Sequence, residues 1–363
     1  PNSWTKHREV YPASAAESNY VDATFDQTNR AHVVWVEGSG LAYANSSNLG
    51  SGFGNYKFFT KLSTNSVAYN PKVVTYGNNV HIIWSEGGDF SGTPEEVGPN
   101  IYHVQYYKNN LNVWGWSDIT AVTYNTVQSE KPAFAVDPAG NLHVVYQQQV
   151  DASHYNILYA KGTFNGSTIT WEPESNHAVI TSNIPAGAYT MVEPSILYSN
   201  GRLEVSATQV FDAPNPKEAA SYIYYITCDT SCNESNNWDA TRISEANGGL
   251  TSALYVDITP SNIVSSIVRL GSCTSIVFDG KVTSTQDDKE QIFDSSSCNG
   301  WGDGRTELTE NDESRTIQPV ATTQYGWWMY VVYEEFVNLD SSEKIYFMRN
   351  IPSVYLPMIS KPK

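Results

Sequence analysis

No stretch of the 363 residues is an unbroken apolar run of eighteen or more, so no transmembrane helix is expected. Charge is also scarce. Asp, Glu, Lys and Arg together make up 16% of the chain, and 21 basic residues against 38 acidic ones leave a net charge of −17. A chain so short of basic residues cannot form the cationic stripe that phosphate backbones require, which excludes nucleic acid as a partner class. Cysteine is limited to four residues, falling as two local pairs, Cys228 with Cys232 and Cys273 with Cys298. Histidine is missing beside both pairs, and the second pair lacks Cys-x-x-Cys spacing. Two disulfides and an oxidising compartment are therefore expected in preference to a zinc site. A starting Met and a charged-then-apolar leader are absent as well, and a chain that opens at Pro1 reads as a secreted protein after removal of its signal.

Aromatic residues are plentiful, with 24 Tyr and 10 Trp, and they recur in register with a repeated phrase. Its clearest copy is Val136-Asp-Pro-Ala-Gly-Asn-Leu-His-Val-Val-Tyr146. Imperfect copies run from Val21 to Trp35, Pro71 to Trp84, Pro194 to Ser206, Leu254 to Val268 and Pro319 to Tyr333. Each is a short apolar run, a Gly/Asn/Asp turn and a longer apolar run, which is the pattern of a β-hairpin. Alignment on the histidine gives positions 32, 81, 143, 204, 265 and 330, a period of about 50–65 residues that indicates blades or solenoid turns. After the hairpin come a third strand rich in Tyr, such as Tyr155 to Ala160, and a fourth that carries Trp, such as Ser167 to Trp171. Four antiparallel strands per repeat make a propeller blade.

The expected fold is thus all-β, a six-bladed β-propeller of four-stranded antiparallel blades spanning residues 1–351 as a single domain, with 352–363 as a C-terminal tail. The last repeat reaches a third strand, Lys344 to Met348, and then meets Pro352. The orphan segment Ser3 to Val10 is expected to supply the missing strand and close the ring, removing open sheet edges.

The phrase Asp137 to Tyr146 and the Trp-Xaa-Glu that ends two second strands, Trp35-Val-Glu37 and Trp84-Ser-Glu86, resemble secreted bacterial β-propellers of the sialidase-like, BNR-repeat superfamily. That resemblance implies the propeller fold. It does not carry over the catalytic motifs: no segment has the Ser-x-Asp-x-Gly-x-Thr-Trp form, no Arg-Ile-Pro opens the first blade, and the arginines fall at unlike repeat positions.

In a propeller, the loop from the second to the third strand lies on the face that surrounds the axial channel. The position two residues beyond the second-strand aromatic is occupied by Glu37, Glu86, Gln148 and Glu335. With Asp151 and Glu334 these form the expected binding mouth. Such carboxylates have three readings: holding turns through backbone N–H groups, serving as the acid and base of a glycosidase, or binding Ca²⁺ together with acidic loop residues such as Asp303, Glu307, Asp312 and Glu313. No EF-hand spacing supports the third, and no cofactor is assigned. His32, His81 and His143 share one repeat position and are expected to tie neighbouring strands together.

The tail leaves Val354, Tyr355, Leu356, Met358 and Ile359 as apolar residues without a blade, followed by Lys361 and Lys363. Docked on another copy, this segment would generate a head-to-tail fibre, because heterologous contacts need not close. The expected function is therefore an extracellular, non-catalytic binding and structural propeller that self-assembles, with other copies and extracellular glycans as partners. The alternative is a carbohydrate-active hydrolase or lyase working at the mouth. Deleting residues 352–363 is expected to leave a folded monomer in sedimentation velocity; an unchanged assembly state contradicts the fibre.

Overall fold

A computed structural model describes residues 18–28, 30–46, 53–59, 66–88, 99–109, 111–124, 126–151, 154–184, 189–211, 221–243, 265–280, 291–299, 306–307, 314–324, 328–337 and 343–349. Their regular structure is β-strand apart from three single-turn 3₁₀ helices. By internal contacts the chain divides into two compact units, residues 1–212 with 224–241, and residues 213–223 with 242–363.

The described strands form six antiparallel sheets in chain order. The first contains Ser18–Phe25, Ala31–Glu37, Gly40–Ser46 and Phe53–Phe59. The second contains Ser66–Tyr76, Asn79–Gly88, Asn100–Lys108 and Trp114–Trp116. The third has Ser129–Val136, Leu142–Gln149, Tyr155–Phe164 and Ile169–Trp171. The fourth has Tyr189–Ser199, Arg202–Phe211, Ser221–Cys228 and Asp239–Arg242. The fifth is Ser265–Leu270, Cys273–Gly280, Gln291–Ser296 and Thr306–Glu307. The sixth shows three strands, Ser314–Gln324, Trp328–Val337 and Glu343–Arg349.

A detail the sequence pattern did not reveal is a short fifth strand, Thr120–Ala121 in the second sheet and Ala178–Val179 in the third, returning to pair with the third strand. There Val122 N–H donates to Ile101 O at 2.8 Å and Ile180 N–H to Ile157 O at 3.0 Å. Segments of two residues carry no periodicity from which a strand could be read.

In the first unit, the first strands of consecutive sheets pack on one another, the first sheet on the second, the second on the third and the third on the fourth. Alternation along each strand sends one set of side chains to each neighbour. Val34, Val36, Leu41 and Tyr43 of the first sheet meet Ile82, Trp84 and Val104 of the second. Ile83 and Ile101, on the other side of the second sheet, meet Phe134, Val144 and Tyr146 of the third. Each of these buried side chains contributes about 1.5–3 kcal/mol. The turns are built for close approach. Gly140 has φ +85°, and a Cβ there would lie 2.7 Å from Tyr76 Cε1 and 2.8 Å from Phe164 Cδ1, so no other residue fits without displacement.

Polar ties repeat with the sheets. Asp26 Oδ1 accepts the N–H groups of Thr28 and Arg30 at 2.8 and 2.9 Å and so shapes the first hairpin turn. Its Oδ2 meets His32 Nε2 at 3.2 Å, and His32 Nδ1 lies 2.7 Å from Tyr43 Oη on the next strand. Asp137, His143 and Tyr159 repeat this arrangement at 3.3 and 2.8 Å. A Trp of the following sheet completes each tie, Trp116 of its fourth strand against Tyr43, and Trp238, immediately before its fourth strand, against Tyr159. Burial lowers His32 and His143, against the pull of Asp26 and Asp137. Burial raises the two carboxyls, but hydrogen bonds from the turn and the imidazole outweigh it and hold them below the usual range.

The second sheet departs from this design. By register Tyr76 stands where the Asp would be and His103 where the Tyr would be. His81 Nδ1 lies 3.2 Å from His103 Nε2, and Trp171 packs edge-on against His103. Among the described residues, His81 Nε2, Gln105 Oε1 and Trp171 Nε1 are buried without a hydrogen-bond partner. With no carboxylate at hand, burial brings His81 down to about 4, and burial together with the neighbouring His81 lowers His103 well below the ordinary range.

Groups whose folded pKa is depressed contribute stability above their unfolded pKa, near 6.5, and that stability is lost as pH falls toward the folded value. The first unit should therefore weaken between about pH 6.5 and 4. His103→Tyr, which restores the partner found in the first and third sheets, should move the acid-unfolding midpoint to lower pH. An unchanged midpoint by circular dichroism contradicts this assignment.

Candidate functional site

The first strand of five sheets carries a bulge at one equivalent place. Register slips between Asn19 and Asp22, Tyr69 and Lys72, Glu130 and Ala133, Val192 and Ser195, and Ile317 and Val320. In the first unit the bulged residues are Tyr20, Asn70, Lys131 and Glu193, with φ of 51°, 50°, 51° and 51°. None is glycine, although left-handed backbone costs a side-chain-bearing residue about 1–3 kcal/mol. Three of them precede a proline, Pro71, Pro132 and Pro194. Proline has no N–H with which to continue the ladder, so the strand yields at that point.

The bulges are fastened to the preceding sheet. Lys131 N–H donates to Ser85 Oγ at 3.1 Å, and Glu193 N–H donates to Gln147 Oε1 at 3.3 Å. Between the first two sheets the donor is Val73 N–H, which reaches Asp22 Oδ2 at 2.8 Å. Successive bulge side chains then meet: the Lys131 ammonium forms an ion pair with the Glu193 carboxylate. Glu130 Oε1 accepts Gln147 Nε2 at 2.7 Å, so one glutamine links two sheets through both ends of its amide.

Two phenols adjoin this cluster. Burial raises Tyr69 well above the ordinary range, and the nearby Glu130, Tyr155, Tyr20 and Glu86 add to the effect. Tyr155 is pushed up to about 12, first by burial and then by Glu130. Both therefore stay protonated at neutral pH, with the Tyr69 hydroxyl itself buried. Asp22 is raised by burial, against Lys72 and the N–H groups of Val73 and Ala23. Carboxylate acceptors, a phenol donor, an ammonium and aromatic faces thus adjoin one another on adjacent strands, a composition suited to a polar, ring-shaped ligand.

The residues expected at the mouth divide differently. Glu37, Glu86 and Gln148 do share a register position, opposite Ser18, Ala68 and Ser129. Glu86, however, is buried. Its Oε1 accepts Ser66 Oγ at 2.5 Å and its Oε2 accepts Trp84 Nε1 at 2.9 Å, so it anchors the sheet interior. Glu37 Oε2 accepts Tyr56 Oη at 3.1 Å, and Gln148 Nε2 donates to Ser129 Oγ at 3.2 Å. Asp151 is exposed and closes on His154 Nδ1 at 2.6 Å. Glu334 and Glu335 lie opposite Ile317 and Thr316 in the sixth sheet, in the other unit, and their side chains fall outside the described residues.

Val354, Tyr355, Leu356, Met358, Ile359, Lys361 and Lys363, the N-terminal segment 3–10, and Asp303, Asp312 and Glu313 also fall outside the described residues. Among those described, no group of three or more His, Cys, Asp or Glu is placed to hold a metal. Sequence reasoning missed Tyr69, Glu130, Lys131, Gln147, Tyr155 and Glu193. The signal for two of them, Lys131 and Glu193, was an Xaa-Pro step inside a strand pattern, which marks a bulge.

Cys228 pairs with Cys232 and Cys273 with Cys298, with Cα separations of 5.8 and 5.4 Å. The two disulfides point to a non-cytoplasmic compartment. No helix among the described residues is long and apolar enough to cross a membrane.

No protein-family model matches the chain, and no curated protein matches it by sequence. Solved structures do. A protein of unknown function from Dyadobacter fermentans aligns over 93% of this chain and 95% of its own, at 9% identity and TM-score 0.56. A Hadza microbial sialidase aligns over 88% of this chain at 12% identity and TM-score 0.53, and the alignment spans 63% of that sialidase. A native Bacillus subtilis arabinanase aligns over 92% of this chain and 93% of its own, at 14% identity and TM-score 0.41. The chain has a propeller-like, all-β fold. At these identities the likeness extends to the fold alone.

Glu86→Ala should leave the Trp84 indole N–H without its acceptor and lower stability by about 1–3 kcal/mol. Urea denaturation reads this directly, and a change below about 0.5 kcal/mol contradicts an interior role.

Proposed function

We propose that this chain is an extracellular, carbohydrate-active β-propeller that takes a glycan at the fastened bulges of its first four sheets. The observation that carries the reading is the repeated left-handed bulge. The same costly backbone recurs in four sheets while its side chain changes from Tyr to Asn to Lys to Glu. A purely structural device would favour glycine at such a φ, whereas a recognition surface keeps the frame and varies what it presents. Tyr69 and Tyr155 would present their rings to the sugar and Tyr155 would donate to a hydroxyl, with Glu130, Lys131 and Glu193 as further polar contacts.

The likeness in fold to a sialidase supports the hydrolase or lyase reading over a purely structural role. Glycoside hydrolysis needs one carboxyl that retains its proton and a second that is ionised. Asp22, whose carboxyl is raised by burial, is proposed as one of the pair, and Glu130, which accepts Gln147 Nε2, as the other. A closed ring of six blades, with residues 3–10 completing the sixth sheet, belongs to the same proposal; it is supported by the three strands described there against four or five in each of the others. Self-association through residues 352–363 rests on sequence alone.

The test is a glycan array followed by a hydrolysis screen on each glycan bound. Binding should weaken at least tenfold in Tyr69→Ala, and any turnover should fall at least a hundredfold in Asp22→Asn and Glu130→Gln. A protein that retains no glycan contradicts the reading. Turnover that survives both carboxyl variants contradicts the catalytic assignment.

A further inference from the structure

A cavity lies at the opposite end of the third and fourth sheets from the bulges. It encloses 190 Å³ beside the hairpin turns and is lined by His143, Tyr159, Lys161, Tyr198 and the loop closed by the Cys228–Cys232 disulfide. Its floor is a pile of rings. His143 stacks on Tyr159 at a centroid distance of 6.0 Å and on Tyr198 at 5.7 Å, with interplanar angles of 20° and 15°. The disulfide loop adds Thr230, Ser231 and Asn233 to the lining. That loop is held independently of any ligand, since Trp238 Nε1 donates to Cys232 O at 2.8 Å and Asn237 Nδ2 donates to Ser231 O at 3.1 Å.

The charges around the cavity are already balanced. Asp229 is engaged by Arg202, through Nε at 2.5 Å and Nη2 at 2.9 Å. His143 is lowered by burial and is neutral at pH 7. The Lys161 charge acts on the Glu172 carboxyl, pulling it down against the larger upward effect of burial, and Glu172 Oε1 accepts the Lys161 backbone N–H at 2.8 Å. A cavity with compensated charge, an aromatic floor and a lining of hydroxyls and an amide selects an uncharged ring carrying its own hydroxyls. Its volume accommodates one such ring.

We infer that this cavity binds a single neutral saccharide ring, stacked on Tyr198, at a site separate from the first-strand cluster. The site would give the protein a second point of attachment along a chain of sugars, and the two attachments would add through effective concentration.

The test is saturation-transfer NMR on the full chain with methyl β-glucoside, methyl β-galactoside and N-acetylglucosamine, with phenol and methyl glucuronide as contrasting probes. At least one neutral sugar should receive saturation, with its ring-face protons strongest. Binding should persist in Tyr198→Phe and in Glu130→Gln, and fall at least tenfold in Tyr198→Ala. Thr230→Trp, an exposed substitution that fills the mouth, should abolish it even where Tyr198→Ala folds poorly. Any one of four results overturns the inference: no neutral sugar binds, only phenol or the glucuronide binds, binding survives Thr230→Trp, or the signal disappears with Glu130→Gln. The last would assign the sugar to the first-strand cluster.

Discussion

The first unit depends on how one sheet is fastened to the next. Side-chain packing between twisted sheets is non-directional and tolerates sliding, so apolar contact alone cannot set their relative register. Directional bonds do so here. Val73 N–H on Asp22, Lys131 N–H on Ser85 and Glu193 N–H on Gln147 join a first strand to the sheet before it, always beside the bulge. Lys131 and Glu193 lie within the bulge, which withdraws them from their own ladder, and their left-handed backbone is the cost of making those donors available. Structure and site therefore share one device: the backbone distortion that locks neighbouring sheets also turns Tyr20, Asn70, Lys131 and Glu193 out of the strand pattern.

The opposite ends of the sheets are secured differently. There the Asp–His–Tyr tie and a Trp from the following sheet fill the interface, in the first and third sheets alike. The second sheet keeps the geometry and exchanges the chemistry, with a carboxylate-free histidine pair in place of the tie. A buried imidazole beside a carboxylate can accept a proton without stranding a charge; two buried imidazoles cannot. Equivalent positions can thus share a shape and differ in their response to acid.

Much of the architecture was legible in the chain. Periodic hairpin phrases, the Tyr-rich third strands and the Trp-bearing fourth strands, such as Ile169–Trp171, placed the four-stranded antiparallel sheets because alternation and turn chemistry are local signals. The spacing of Cys228, Cys232, Cys273 and Cys298 indicated the pairing. The shared position of His32 and His143 indicated strand ties, though not their Asp and Tyr partners, which lie 6 to 16 residues away in sequence. The site was less legible. Glu86 was read as facing a mouth because its sequence position matched Glu37 and Gln148, but Trp84 and Ser66 draw it into the interior. Glu130 and Tyr69 were passed over because a bulge shifts the facing of every residue beyond it by one, and plain alternation then assigns them to the wrong side.

The central claim is that the bulges of the first four sheets present one recognition surface. A crystal structure of the protein with a bound oligosaccharide, taken from those an array identifies, tests it most directly. The account predicts left-handed backbone at Tyr20, Asn70, Lys131 and Glu193 and sugar density against Tyr69 and Tyr155, with a hydroxyl in contact with Glu130. Ordinary extended backbone at those four residues, or sugar bound with no contact to any of them or to Tyr69, would contradict it.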